Sequence, residues 1–164
     1  MSLPKILALL SVMAFVAGCA GPRGLVPQQS TIVEVPAKAG VPTDIRFDRN
    51  GDELWEYATG PSGYETYLIR IGTDGKVKEV TQLLTEERLQ SIVPGKMSKA
   101  DVRHLLGRPS EVSFYRTGTV WSWRFKSGVQ PGYLAVSFNP DNTVKERMVL
   151  FDRSDGDRSD KDSK

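Results

Sequence analysis

The chain has one cysteine, Cys19, and one histidine, His104, in 164 residues. A lone thiol cannot close an intramolecular disulfide, so the fold must stand on its core alone. One cysteine and one histidine also fall short of the ligand set of a structural zinc site. No run of lysine or arginine occurs and the formal net charge is +2. That excludes the basic stripe with which nucleic-acid binders neutralise phosphates. The longest uncharged apolar stretch, Ile6 to Ala17, is about a dozen residues, against roughly 20 for a membrane-spanning helix. Phosphate-binding glycine loops and strained nucleophile elbows are missing too. His104 sits between Arg103 and Leu105 with no serine, cysteine or acidic orienter beside it. The expectation is a non-enzymatic protein without cofactor, metal or nucleic-acid partner.

What is present begins with the surroundings of the cysteine, "FVAGCAG" from Phe15 to Gly21. The apolar run after Lys5 has the length of a secretory h-region, and small residues precede Cys19, as a signal peptidase requires. Val16-Ala17-Gly18-Cys19 resembles a bacterial lipobox. The resemblance implies cleavage before Cys19, a diacylglyceryl group on its sulfur and acylation of the new amino terminus. Each buried methylene contributes about 0.8 kcal/mol, so two or three acyl chains hold a protein stably at a bilayer surface. Ala20, where Asp would favour inner-membrane retention, implies the outer membrane of a Gram-negative source. The competing readings are the end of an ordinary signal and a nucleophilic Cys19, for which no rigid element is at hand.

Residues 1–18 are thus expected to be a leader and 19–29 a tether, since "AGPRGLVPQQ" is rich in Gly and Pro and lacks an apolar period. Residues 152–164, "DRSDGDRSDKDSK", hold no aliphatic or aromatic side chain and are expected to be disordered. Between them, "TEERLQSIVPG" reads as a short helix. Thr85 is its cap, Glu86 and Glu87 lie in its first turn, and Leu89, Ile92 and Val93 form one stripe. "MSKADVRHLLGRP" reads as a second. Ser98 and Asp101 make a capping box, Gly107 takes the left-handed position after the helix, and Pro109 prevents continuation. The period then changes to two. Trp121, Trp123 and Phe125 alternate with Ser122, Arg124 and Lys126; Leu134, Val136 and Phe138 share a side; Val144, Met148 and Leu150 are expected to share another. This predicts an α+β fold: a helix pair on a three-stranded antiparallel sheet, ααβββ, with "EVSFY" as a possible added strand.

The punctuation recurs upstream. Gly40-Val41-Pro42-Thr43 matches Gly107-Arg108-Pro109-Ser110 at a spacing of 67 residues, as Ile71 matches Phe138, Asp74 matches Asp141 and Val77 matches Val144. "LWEYA", "TYLIRI" and "KVKEV" repeat the meander, with Asp74-Gly75 as a hairpin turn. The helical part is short and carries Pro36, which costs a hydrogen bond in a helix interior. Residues 30–81 are expected to be a helix-poor first copy whose sheet leans on the Thr85 helix, the second sheet or a partner. The tryptophans are expected in the cores. Asp48, Asp52 and Glu53 about Asn50-Gly51 lack the spacing of a calcium loop and read as a turn.

The stretch "QLLTEERLQSIVPGKMSKADVRHLLGRPS", followed by "VWSWRF", "LAVSF" and "TV", resembles the SmpA/OmlA, or BamE-like, outer-membrane lipoproteins. Val102, Leu106, Gly107, Pro109, Trp121, Trp123 and Phe125 fall on that pattern; Gly95-Lys96-Met97 carries one extra residue. The resemblance covers roughly Gln82 to Leu150, within an expected domain of residues 82–151, and more faintly Gly40 to Val80, and it implies an accessory subunit of the machine that inserts β-barrel proteins. Such a subunit is non-catalytic and touches other envelope lipoproteins or barrel-assembly subunits, and in some cases anionic phospholipid. It places partner contacts on the lead-in and the aromatic strand, here Gln82, Leu83, Leu84, Thr85 and Lys126, although Leu83 and Leu84 could instead be the buried joint between copies. The tandem layout also resembles β-lactamase inhibitors. That leaves an alternative: a periplasmic inhibitor or ligand-binding module that presents the Asp74-Gly75 hairpin.

Overall fold

The computed structural model describes residues 22, 24–59 and 63–152. Cys19, the leader and the tail from 153 onward lie outside the described residues. Along the chain come α1 (Glu34–Ala39), β1 (Asp44–Phe47), β2 (Glu53–Ala58), β3 (Thr66–Ile71) and β4 (Val77–Gln82). They are followed by α2 (Glu86–Gln90), α3 (Lys99–Leu106), β5 (Glu111–Tyr115), β6 (Gly118–Ser127), β7 (Gln130–Phe138) and β8 (Val144–Phe151). The strands form two four-stranded antiparallel meanders, β1-β2-β3-β4 and β5-β6-β7-β8. The class is α+β, with a helix-poor sheet ahead of a helix-plus-sheet unit. Each sheet has one strand more than the expected three: "EVSFY" pairs fully with β6, and β1 pairs with β2.

The helices start where local chemistry says they should. The Thr85 hydroxyl accepts from Arg88 N, and Ser98 and Asp101 form a reciprocal capping box. Hydrogen bonds from Ser98 hold the Asp101 carboxyl below its ordinary range. Gly107 ends α3 at φ 77°, ψ −166°. This is a positive-φ extended geometry rather than the expected left-handed helical one, and it suits only glycine. Pro36 does not prevent α1. It is the third residue of that helix, where the N–H has no intrahelical partner to lose.

Two cores result. Leu89, Ile92, Val102 and Leu106 of the helical segment close over Trp123, Phe125, Leu134, Val136, Phe138 and Val144. Val35 of α1 joins Tyr57, Ile69, Ile71 and Val77, with Trp55 packed alongside. The tryptophans are therefore core or core-flanking. Leu25 also packs there, and Gln28 N donates to Val77 O at 2.7 Å. From Gly24 onward, the expected tether is docked on β4.

A bulge changes the expected face of β8. Ser137 pairs with Glu146 and Phe138 with Val144, which leaves Lys145 without a partner. The extra residue inverts the alternation. Val144 faces the core, whereas Met148 and Leu150 lie on the outer face and Val149 replaces them inside. The first sheet has the same bulge at Lys78, between the Arg70–Glu79 and Ile71–Val77 pairs. Other details also recur 67 residues apart. The isolated bridges are Thr31–Lys76 and Ser98–Thr143. Val77 N donates to Ser30 O and Val144 N to Met97 O. Gly75 and Asn142 both have positive φ, as do Gln28 and Gly95.

Candidate partner-binding surface

Of the site residues expected from the sequence, Gln82, Leu83 and Gly107 lie where the two units meet, whereas Trp123 and Phe125 lie in the second core with Trp121 packed against it. Strand alternation puts Tyr57 of β2 into the first core and Glu56 on the opposite face. Glu56 is fully buried. A buried carboxylate must be paired and hydrogen-bonded. Glu56 accepts from Arg103 Nη1 at 2.7 Å, Arg108 N at 2.6 Å and Arg46 Nη2 at 3.3 Å. Arg103 reaches Asp44 with its other nitrogen at 2.5 Å. Burial, then the like charge of Arg103, draw the Arg46 guanidinium down from its ordinary value, against the pull of Glu56 and Asp44. The outer face of the first sheet thus leans on α3, which was not among the supports anticipated for it.

Gly107 is required here for a second reason. A Cβ on it would lie 2.8 Å from Glu56 Oε1 and 3.0 Å from Thr66 Cγ2. Beside this contact, a cleft of about 740 Å³ opens between the units. Arg46, Arg70, Arg88, Asp101 and His104 are among its lining residues. Asp48 accepts from Asn50 N and Asp52 N, and it pairs with Arg70, while Asp52 pairs with Lys78 at 2.8 Å. Those acids hold a turn.

Leu83 and Leu84 are both buried, Leu84 in the second core, and Leu83 N donates to Thr66 O at 2.7 Å. Neither offers a side chain to a partner in this conformation. Gln82 uses its amide oxygen to accept from Leu84 N at 2.6 Å, and Thr85 uses its hydroxyl as the α2 cap. Both are half-buried. Lys126 is exposed, with its ammonium 4.8 Å from the centre of the Tyr64 ring. Arg124 lies between Tyr64 at 4.8 Å and Tyr133 at 5.2 Å, and donates to Tyr64 Oη at 2.7 Å. Two cations stacked on one ring make a basic, aromatic corner. Among the described residues neither cation has a carboxylate within ion-pair distance. Tyr64 comes from the β2–β3 loop of the first unit, so it also ties the corner to the joint through Thr66.

Sequence reasoning named Lys126 but not Tyr64, Arg124 or Tyr133. The outward position of Arg124 was readable from the alternation of β6, whereas the contribution of Tyr64 across units carried no local signal. A groove of about 500 Å³ lies nearby, lined by Leu89, Phe125, Arg147, Val149 and Phe151. The Asp74-Gly75 hairpin is braced by its own chain: Lys76 N donates to Asp74 Oδ1 and Ile32 N to Gly75 O.

Among curated proteins none matches the chain. One similar solved structure is a DUF4309 family protein (YjgB) from Bacillus subtilis subsp. subtilis str. 168. It is 18% identical, with 81% of this chain and 86% of that one covered, at a TM-score of 0.31. The family model of the Outer membrane protein assembly factor BamE domain matches residues 82–148. That span opens at the joint residue Gln82, takes in the capped helix pair and the aromatic strand, and closes on β8. Residues 82–148 are thus similar to the BamE domain family.

Proposed function

We propose that this chain is a lipid-anchored, non-catalytic scaffold on the periplasmic face of the outer membrane, an accessory subunit in the assembly of β-barrel proteins or in envelope integrity. The observation that carries this reading is the BamE-domain match over 82–148; the lipobox ending in Cys19 supports the anchor. Residues 30–81 are a degenerate first copy of the domain. The recurrence of bulges, bridges and positive-φ turns at one spacing supports that reading. The partner surface is the corner of Lys126, Arg124 and Tyr64 together with the rim of the lead-in at Gln82 and Thr85. Its two cations suit an acidic segment of an envelope lipoprotein or barrel-assembly subunit, and equally an anionic phospholipid head group.

Two measurements test this. Palmitate labelling of the wild type and Cys19→Ala, followed by membrane fractionation, should show label and membrane retention only in the wild type. Label-free wild-type protein would remove the anchor. Cross-linked pull-down from membranes should recover barrel-assembly components, and Lys126→Glu should reduce the yield by about ten-fold, the equivalent of roughly 1.4 kcal/mol. Recovery of none of them, under conditions that capture known subunits, would remove the assembly role.

A further inference from the structure

Each sheet has two edges, and in each unit the chain covers one of them. The stretch ahead of α1 closes the β4 edge: Gln28 N donates to Val77 O, Val77 N to Ser30 O, and Thr31 bridges Lys76. The stretch ahead of α3 closes the β8 edge in the same way: Gly95 N donates to Val144 O, Val144 N to Met97 O, and Ser98 bridges Thr143. The opposite edges, β1 and β5, also correspond. Each follows a helix that turns through a glycine, Gly40 at φ 80°, ψ −152° and Gly107 at φ 77°, ψ −166°. Thr43 N donates to Glu56 O as Ser110 N donates to Ser122 O, so Ser122 stands where Glu56 does. Among the described residues, β1 and β5 each pair with one strand alone, and no other backbone hydrogen bond reaches them. Both edges show two apolar side chains two residues apart, Ile45 and Phe47 on β1, Val112 and Phe114 on β5.

An open edge is a row of N–H and C=O groups that fits another strand, and proteins blunt it with charge, proline or brevity. β1 is blunted. It has four residues, and Asp44 and Arg46 on its other side are held in the joint by Arg103 and Glu56. β5 is not. It has five residues, no proline and no lysine, and its one charge, Glu111, stands at its start. On the helix side it presents Val112, 40% exposed, and Phe114, 82% exposed. Val112 pairs with Trp121, which packs on the second core, so this side continues that core to the rim of the sheet. The other side of β5 carries Glu111 and Ser113, followed by Tyr115. Successive residues of a strand laid along β5 would meet apolar and polar neighbours in turn.

We propose that β5 takes a further strand: an extended segment of a client polypeptide whose apolar and polar residues alternate, paired to β5 through the main chain. Its apolar side chains lie against Val112 and Phe114, and its polar ones beside Glu111 and Ser113. Main-chain pairing gives affinity without a fixed sequence, and the alternation selects the class of segment. Strands that span membranes as barrels alternate in this way. The proposal therefore deepens the assembly reading and rests on it for the source of the segment.

The test titrates the full chain, purified in detergent, with a labelled peptide of alternating valine and threonine, about ten residues long as a membrane strand is. N-methyl groups on alternate residues leave it one edge that can pair. It should bind, and the β5 amides that do not bond β6 should exchange with solvent roughly ten-fold more slowly. The same peptide methylated at every residue should not bind. Phe114→Ser should weaken binding by about ten-fold, through lost apolar burial, with thermal unfolding unchanged because the side chain is already exposed. Phe47→Ser, at the equivalent place on β1, should leave the affinity as it is. The proposal is overturned by absence of binding, by equal binding of the fully methylated peptide, by unchanged affinity in Phe114→Ser, or by protection confined to another edge. Protection of β5 that rises with protein concentration alone would put a second copy on the edge and overturns it too. The peptide assay concerns the edge only: its failure leaves the pull-down result standing, and a failed pull-down leaves the peptide result standing.

Discussion

The two units share a backbone plan and differ in how they bury it. The second places Trp123, Phe125 and Phe138 under a pair of helices. The first has only α1, with Val35 and the smaller side chains Ile69, Ile71 and Val77 beneath it. Its opposite face is not left to solvent. It is closed by α3 of the second unit through the buried Glu56–Arg103 pair. A sheet with little helical cover on one side is covered on the other by its neighbour. The lesson is asymmetry of dependence: the second core is self-contained, whereas the first unit relies on the joint.

The strongest way to break this comparison is at Glu56. Removing one partner of a buried ion pair leaves the rest uncompensated and costs about 3–5 kcal/mol. Glu56→Ala should lower the urea midpoint of the first unit before the second, separated by following Trp55 against Trp123. Ser122→Ala, at the corresponding position, should change stability by about 0.5 kcal/mol or less.

Next come the two turning glycines. Gly40→Ala and Gly107→Ala each meet the strain of a positive φ, about 1–3 kcal/mol. Only Gly107→Ala also drives a methyl into Glu56 Oε1. It should be the more destabilising by about 1–3 kcal/mol, the range for overpacking, in equilibrium denaturation. Equal costs would mean that the joint gives way freely.

The caps sharpen the comparison further. Ser98→Ala removes a true N-cap from α3 and should cost about 1 kcal/mol. Thr31→Ala should cost a few tenths, about the difference a weak cap makes, because α1 has no side-chain cap bond at its own N-cap.

The smallest effect is the dependence on pH. Hydrogen bonds from Ser98 depress the Asp101 carboxyl, and the bond from Lys38 chiefly depresses Glu34, its counterpart in the first unit. A depressed carboxyl adds stability above its unfolded value, near pH 4, and that contribution disappears as pH falls through the folded value. The melting temperature should not vary on their account between pH 5 and 8, roughly one unit or more above that value, and should decline below it. Asp101→Asn should flatten the decline in the second unit only.

Much of this was legible in the chain because it is short-ranged. Thr85, Ser98 and Asp101 announced both helix starts, and the Trp121-Trp123-Phe125 alternation announced the core face of β6. Three features were not. β1 is four residues long and its pattern is too brief to separate from a loop. The outward turn of Met148 and Leu150 hangs on one unpaired residue, Lys145, which leaves no mark on the periodicity around it. Pro36 looked like a helix breaker because its effect depends on a start position that was not known.

By itself the sequence determined what depends on neighbouring residues: caps, turns, strand alternation, and the spacing of 67 residues that places one set of turns over another. The tertiary structure alone decided which face of the first sheet is closed and by what. It also decided that Leu83 and Leu84 are buried rather than surface, and that Tyr64 completes a corner with Arg124 and Lys126. Those outcomes depend on groups tens of residues apart competing to bury apolar area and to pair charge, and no local pattern records which of them wins.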